Sequence, residues 1–161
     1  MVIFVLLKPM TKWDITRKYN MTEKYIVCDF ARSDWGKSET LLKVVDKLKT
    51  KTKPTIEELI DGHDKYAVFE INNKTIAVIT QGDPNSYQAI GLKRAVAENA
   101  DIIVCASRTR GDTVDVVYEI AKNGYEVIWL SNFYADDEKL SCIPYLSDIS
   151  ANSIVELIQK F

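Results

Sequence analysis

The chain switches repeatedly between two hydrophobic periods, and this alternation constrains its fold more than any other feature. Short apolar runs rich in β-branched and aromatic residues predict strands, and apolar residues three and four positions apart predict amphipathic helices. The predicted strands are 24–30, 66–71, 74–80, 101–106 and 125–130. The predicted helices are 39–51, 55–61, 86–99, 113–123 and 149–161.

A strand followed by a helix and then another strand indicates right-handed crossovers above a mostly parallel sheet. The runs YIVC and DIIVCA are continuously apolar, as expected of strands buried on both faces. Asn72 and Asn73 separate two predicted strands, and asparagine tolerates the left-handed backbone of a tight hairpin. We therefore predict an α/β fold: a three-layer α/β/α sandwich with a mostly parallel five-stranded sheet and one antiparallel hairpin strand.

The 161 residues are enough for one domain with a substantial core. We assign residues 25–161 to this domain. Residues 1–24 form an N-terminal extension, in which the apolar run 2–7 is either an added edge strand or part of a loosely attached segment.

Composition excludes several classes of function. Twenty-one basic and 23 acidic residues give a net charge of -2, which excludes nucleic-acid binding through bulk positive charge. Three cysteines without a CxxC pair exclude a disulfide framework, and a single histidine, His63, disfavours zincin and Ser-His-Asp chemistry. No apolar run reaches the length of a membrane span, and we expect a cytoplasmic protein.

The most informative segment joins the first predicted strand to the first long helix. Its eight residues are Ala31, Arg32, Ser33, Asp34, Trp35, Gly36, Lys37 and Ser38. This segment resembles the Walker A motif of the P-loop nucleoside triphosphatase superfamily, in the form that carries alanine at the first position. The order of strands and helices extends the resemblance over most of the chain.

The resemblance implies a loop that binds the phosphates of ATP or GTP. Backbone N–H groups converge at a helix start, where the helix dipole adds positive charge. Gly36 permits close approach of the backbone, Lys37 offers its ammonium to the β- and γ-phosphates, and the Ser38 hydroxyl is a ligand for Mg²⁺. The alternative is an ordinary strand–turn–helix junction. Ala31 departs from the usual glycine, which leaves open whether the cradle is intact.

Ligands in open α/β sheets bind at the carboxyl ends of the parallel strands. P-loop proteins usually place an Mg²⁺-binding carboxylate after the strand equivalent to 74–80. Here Thr80 or Gln81 holds that position, and Asp83 follows two or three residues later. Asp83 is therefore a candidate metal ligand, or a cap for the helix predicted at 86–99, or both.

Two arginines follow the strand 101–106. Arg108 and Arg110 are candidates for neutralising charge on a transferring phosphoryl group. The alternative is a solvated loop before a helix capped by Asp112. After strand 125–130, Asn132 is a candidate contact for a base or ribose.

Two further features keep alternatives open. An antiparallel strand 66–71 would begin at the same edge of the sheet. That arrangement would bring His63, Asp64 and Lys65 near the phosphates. A solitary loop histidine more often has no functional role. Trp35 either shields the phosphates, stacks on a partner, or packs against a neighbouring loop.

The functional expectation is a small P-loop NTPase or kinase-like protein that binds Mg²⁺ with ATP or GTP and hydrolyses or transfers the γ-phosphoryl group. The alternative is a nucleotide-dependent switch, or an interaction scaffold with little or no turnover, that acts through a protein partner or as a homo-oligomer. Ala31 and the displaced Asp83 favour the alternative.

Overall fold

A computed structural model describes residues 23–136 and 139–161 of the chain. This part contains six strands and four helices, which alternate except for three consecutive strands after the first helix. The elements in chain order are β1 (Tyr25–Phe30), α1 (Lys37–Lys49), β2 (Ile56–Asp61), β3 (Asp64–Ile71), β4 (Lys74–Ile79), α2 (Gln88–Ala97), β5 (Ile102–Ser107), α3 (Asp112–Ala121), β6 (Glu126–Ser131) and α4 (Ile143–Ile158). The strand expected at 2–7 lies outside the described residues.

The six strands form one mostly parallel sheet in the order β2-β3-β4-β5-β1-β6. β1 pairs in parallel with both β5 and β6, and β5 pairs in parallel with β4. β3 is antiparallel to both β2 and β4. The carboxyl ends of β4, β5, β1 and β6 therefore meet at one edge of the sheet, which we call the carboxyl edge.

Alternate residues of the central strands belong to two separate apolar clusters, as expected of strands with side chains on both faces. The first cluster joins the sheet to α1 and α4 and includes Val27, Leu41, Val104 and Ile154. The second joins the sheet to α2 and α3 and includes Ile26, Leu92, Ile103 and Val117. Full burial of such a side chain stabilises the fold by roughly 1.5–3 kcal/mol.

The hairpin predicted at Asn72-Asn73 is confirmed. These two residues join β3 to β4 with φ angles of 52° and 61°, the left-handed conformation that a tight two-residue turn requires. The strand that begins the hairpin is antiparallel to its neighbours, as predicted.

The helix predicted at 55–61 is wrong, because this segment is the edge strand β2. Ile56 and Ile60 are four residues apart, a spacing that places two side chains on one face of either a helix or a strand. Gly62 lies in the turn between β2 and β3 with a φ of 56°. This segment also raises the strand number from the expected five to six.

The observed ends of the other helices and strands lie within a few residues of the predicted ends, except at the C-terminal helix. α4 begins at Ile143, six residues before the predicted start, with a proline in its first turn where the ring restricts the backbone favourably. None of the helices in the two described ranges is long and apolar enough to cross a membrane.

Candidate functional site

The loop between β1 and α1 is held against the neighbouring strand and then turns sharply into the helix. Ala31 is buried, and its N–H donates to the carbonyl of Ser107 at 3.2 Å. Asp34 and Gly36 have φ angles of 63° and 75°. Gly36 is the N-cap of α1 and provides no side-chain cap, and the backbone N–H groups of residues 36–39 donate to no other described residue. These N–H groups are available to an anion.

Lys37 is buried at the first position of α1. Its ammonium donates to the carbonyls of Ala31 at 3.2 Å and Arg32 at 2.8 Å. Burial lowers the pKa of Lys37, while the carboxylates of Asp83 and Asp29 oppose that shift. Neutral carbonyls are weaker partners for an ammonium than charged oxygens, so an anion at this loop would compete well for Lys37.

A cavity of about 300 Å³, which we call the lysine cavity, lies at the start of α1. Its lining residues are Asp34, Gly36, Lys37, Ser38, Glu39, Gly82 and Asp83. The Ser38 hydroxyl donates to the carbonyl of Thr80 at 3.1 Å, which positions its oxygen at the end of β4. The structure thus brings the predicted Lys37, Ser38 and Asp83 to one cavity at the carboxyl edge.

Asp83 contacts an arginine and does not cap the following helix. Its Oδ1 accepts from Nε of Arg108 at 3.2 Å, and both side chains are partly exposed. α2 begins at Gln88 without a side-chain cap bond, and the N–H of Tyr87 donates to Oε1 of Gln81. The capping alternative for Asp83 is therefore wrong.

A second cavity of about 610 Å³, which we call the arginine cavity, lies between the loop after β1 and the loop after β5. It is lined by Arg32, Ser33, Pro84, Arg108, Thr109, Arg110, Gly111 and Asp112. Both predicted arginines therefore lie beside the loop that precedes α1. Asp112 is the first residue of α3 and makes no cap bond, so the alternative in which it caps the helix is wrong.

The start of β3 reaches the same edge through Asp64. Asp64 Oδ1 accepts from the Thr80 hydroxyl at 2.7 Å, and that hydroxyl accepts from the N–H of Lys65 at 2.9 Å. Thr80 also holds Ser38 through its carbonyl. The Lys65 ammonium instead contacts Glu57 at 2.8 Å. Asp64 thus supports the residue that positions Ser38, and His63 occupies the turn before β3.

Trp35 packs against the loop that follows β6. Its ring stacks on Tyr134 with a centroid distance of 4.0 Å, and the Arg32 guanidinium lies 5.4 Å from its ring centre. The carbonyl of Trp35 accepts from Nδ2 of Asn132 at 2.9 Å. Among the three sequence-based alternatives for Trp35, the structure shows the contact with a neighbouring loop.

A third cavity, of about 280 Å³, lies beside this aromatic pair, and we call it the tryptophan cavity. Two of its lining groups, the hydroxyl of Thr40 and Oδ1 of Asn132, are buried without a hydrogen-bond partner in the described structure. The contact of Nδ2 with the Trp35 carbonyl fixes the orientation of the Asn132 amide, so Oδ1 is an acceptor. A buried acceptor without a partner is costly, and a ligand with an N–H group would satisfy it.

Sequence reasoning missed Asp29, which is 1% exposed near the end of β1. Its Oδ2 atom has no hydrogen-bond partner among the described residues. Burial raises the pKa of Asp29 to about 7, although nearby Lys37 lowers it. A single polar residue in the apolar run YIVCDF was the available signal. Lys37 thus interacts with a carboxyl that changes charge near neutral pH.

The raised pKa of Asp29 predicts that the stability of the fold depends on pH. The unfolded carboxyl loses its proton near 3.8 and the folded one near 7, so the free energy of unfolding decreases as pH rises between these values. At about 1.4 kcal/mol per pKa unit the decrease is at most about 4 kcal/mol. We expect Asp29→Asn to flatten this part of the urea-unfolding profile, while Asp46→Asn on the exposed side of α1 leaves it unchanged. A wild-type slope in Asp29→Asn would contradict the assignment.

No group of three or more histidine, cysteine, aspartate or glutamate side chains suited to a metal ion occurs within residues 23–136 and 139–161. No family model, curated protein or solved structure matches the chain.

Proposed function

We propose that the protein binds a magnesium–nucleoside triphosphate, ATP or GTP, at the lysine cavity and hydrolyses or transfers its γ-phosphoryl group. The observation that carries this proposal is the buried Lys37 at the first position of α1, beside four backbone N–H groups that have no partner among the described residues. An ammonium and a helix N-terminus directed at one cavity suit a polyphosphate.

The roles proposed for the other residues combine the resemblance to P-loop proteins with their positions around the cavity. The Ser38 hydroxyl and Asp83 are the protein ligands proposed for Mg²⁺, which is commonly bound by few protein groups together with phosphate oxygens. Arg108, or Arg110 from the same loop, neutralises charge on the transferring group. Because phosphoryl transfer depends mainly on positioning and electrostatics, a small domain is sufficient for it.

The nucleoside end of the ligand is proposed to enter the tryptophan cavity, which shares Asp34, Gly36 and Glu39 with the lysine cavity. Oδ1 of Asn132 would accept a hydrogen bond from the base or ribose. The resemblance to P-loop proteins also implies the three-layer sandwich, with helices on both faces of the sheet, and we propose a cytoplasmic location.

A second candidate is a nucleotide-dependent switch with little turnover. The observation that favours it is Thr80, which occupies the end of β4 where a carboxylate would be expected and which is engaged by Asp64 and Ser38. Asp83 in turn is paired with Arg108. A site that lacks a dedicated metal-binding carboxylate is better suited to binding a nucleotide than to hydrolysing it rapidly. A scaffold without nucleotide is the third alternative.

Calorimetric titration of ATP and GTP, with Mg²⁺ and with EDTA, separates these functions when phosphate release is measured in parallel. Binding with phosphate release indicates the NTPase or kinase-like enzyme. Binding without release indicates the switch, and no binding of either nucleotide indicates the scaffold and contradicts the proposal.

A further inference from the structure

The arginine cavity has features of a binding site of its own. It shares no lining residue with the lysine cavity. Its volume of about 610 Å³ falls in the range of small-molecule sites. The ion pair between Arg108 and Asp83 stands between the two cavities, because Arg108 lines one and Asp83 lines the other.

Positive charge dominates the lining. Three arginines, Arg32, Arg108 and Arg110, line the cavity together with a single acidic residue, Asp112. Arg110 makes no hydrogen bond or ion pair with any residue that the structure describes, and Arg32 contacts only the Trp35 ring through its side chain. Two of the three guanidiniums are therefore free to bind an anion.

The backbone adds donors at the same place. α3 is ten residues long and begins at the cavity, with Gly111 as an N-cap that has no side chain to accept from the first turn. The N–H groups of Asp112 and Thr113 donate to no other described residue. Guanidiniums bind phosphate oxygens in pairs, and a helix N-terminus adds partial positive charge.

We propose that the arginine cavity binds a phosphate-bearing anion separate from the nucleotide of the proposed function. A nucleic-acid backbone fits less well, because Asp34, Asp83 and Asp112 flank the arginines and would repel a run of phosphates. One compact dianion needs only a few donors, and Arg110, Arg32 and the backbone N–H groups at the start of α3 supply them. The site requires no nucleotide in the lysine cavity.

The test is titration of the full chain with inorganic phosphate and, separately, with glycerol 3-phosphate. NMR signals of the backbone amides monitor each titration. We expect the signals of residues 108–113 to shift on binding. Removal of a charge-assisted contact in Arg110→Ala is expected to weaken binding at least tenfold. Arg110 is exposed and has no described partner, so this variant should fold normally. Lys93→Ala, an exposed cation on α2, is the matched control.

Lys37→Ala distinguishes this site from the lysine cavity. Retained phosphate affinity in Lys37→Ala, with weakened affinity in Arg110→Ala, supports the proposal even if no nucleotide binds and the proposed function fails. Loss of binding in Lys37→Ala with unchanged binding in Arg110→Ala overturns it, as does undiminished affinity in both variants. Tighter binding of glycerol 3-phosphate assigns an organic phosphate as the ligand, and tighter binding of inorganic phosphate assigns the free anion.

Discussion

Replacement of Lys37 by alanine is expected to weaken binding of a magnesium–nucleoside triphosphate about 30-fold or more. This corresponds to a loss of about 2 kcal/mol, the contribution of a charge-assisted hydrogen bond. The ammonium is the buried cation of the lysine cavity, and alanine leaves the phosphates without it. Calorimetric titration of the wild type and the variant measures the change directly.

The control for this variant is Lys51→Ala, which removes an exposed lysine just beyond α1. It carries the same change in net charge, so a general electrostatic effect would appear in both variants. Thermal unfolding of each sample verifies that the variant is folded, since Lys37 donates to two loop carbonyls that lose their partner. Equal affinity of Lys37→Ala and wild type would exclude the loop as the phosphate site.

Gly82→Ala is expected to destabilise the fold by about 3 kcal/mol, because the new methyl group has no room. A Cβ atom at Gly82 would lie 2.6 Å from the carbonyl carbon of Ala106 and 2.8 Å from its oxygen, and it would also overlap the Ala106 Cβ. These Ala106 atoms belong to the backbone of a central strand or are bonded to it, so they cannot move aside for the new methyl group. Urea unfolding measures the loss.

Gly124→Ala provides the comparison. A Cβ at Gly124 has nothing within 4 Å, but its φ of 92° disfavours an L-residue, and we expect a loss of about 1 kcal/mol. The double variant Gly82→Ala with Ala106→Gly should recover part of the loss, because it removes the overlap of the two Cβ atoms. Wild-type stability of Gly82→Ala would show that the loop after β4 is not packed against β5 as described.

Hydrophobic period and turn chemistry were sufficient to predict most of the fold. The short, continuously apolar runs YIVC and DIIVCA are typical of buried strands, and Asn72-Asn73 fits a tight turn. The segment 55–61 was not predictable in this way. Its two isoleucines fit either period, and only pairing with β3 selects the strand. The early start of α4 had a local signal that apolar spacing alone does not include, the proline in its first turn.

The part of the candidate site that lies within one short segment was predictable from the sequence. The contacts between residues far apart in the chain were not. Lys37 and Ser38 became candidates because the loop 31–38 resembles a Walker A motif. The pairing of Asp83 with Arg108 spans 25 residues, and the stacking of Trp35 on Tyr134 joins two loops. No local pattern encodes these contacts. The environment of Asp29 also depends on the tertiary fold, because burial sets its pKa.

The contact between Arg108 and Asp83 would couple the two proposed binding events, which use different cavities. An anion in the arginine cavity that drew Arg108 away would release the Asp83 carboxylate for the proposed cation, and a cation at Asp83 would release Arg108. By thermodynamic reciprocity, each of the two proposed ligands would then raise the affinity of the other by the same factor. Because the pair is partly exposed, its free energy is about 1 kcal/mol or less, which limits this cooperativity to about fivefold.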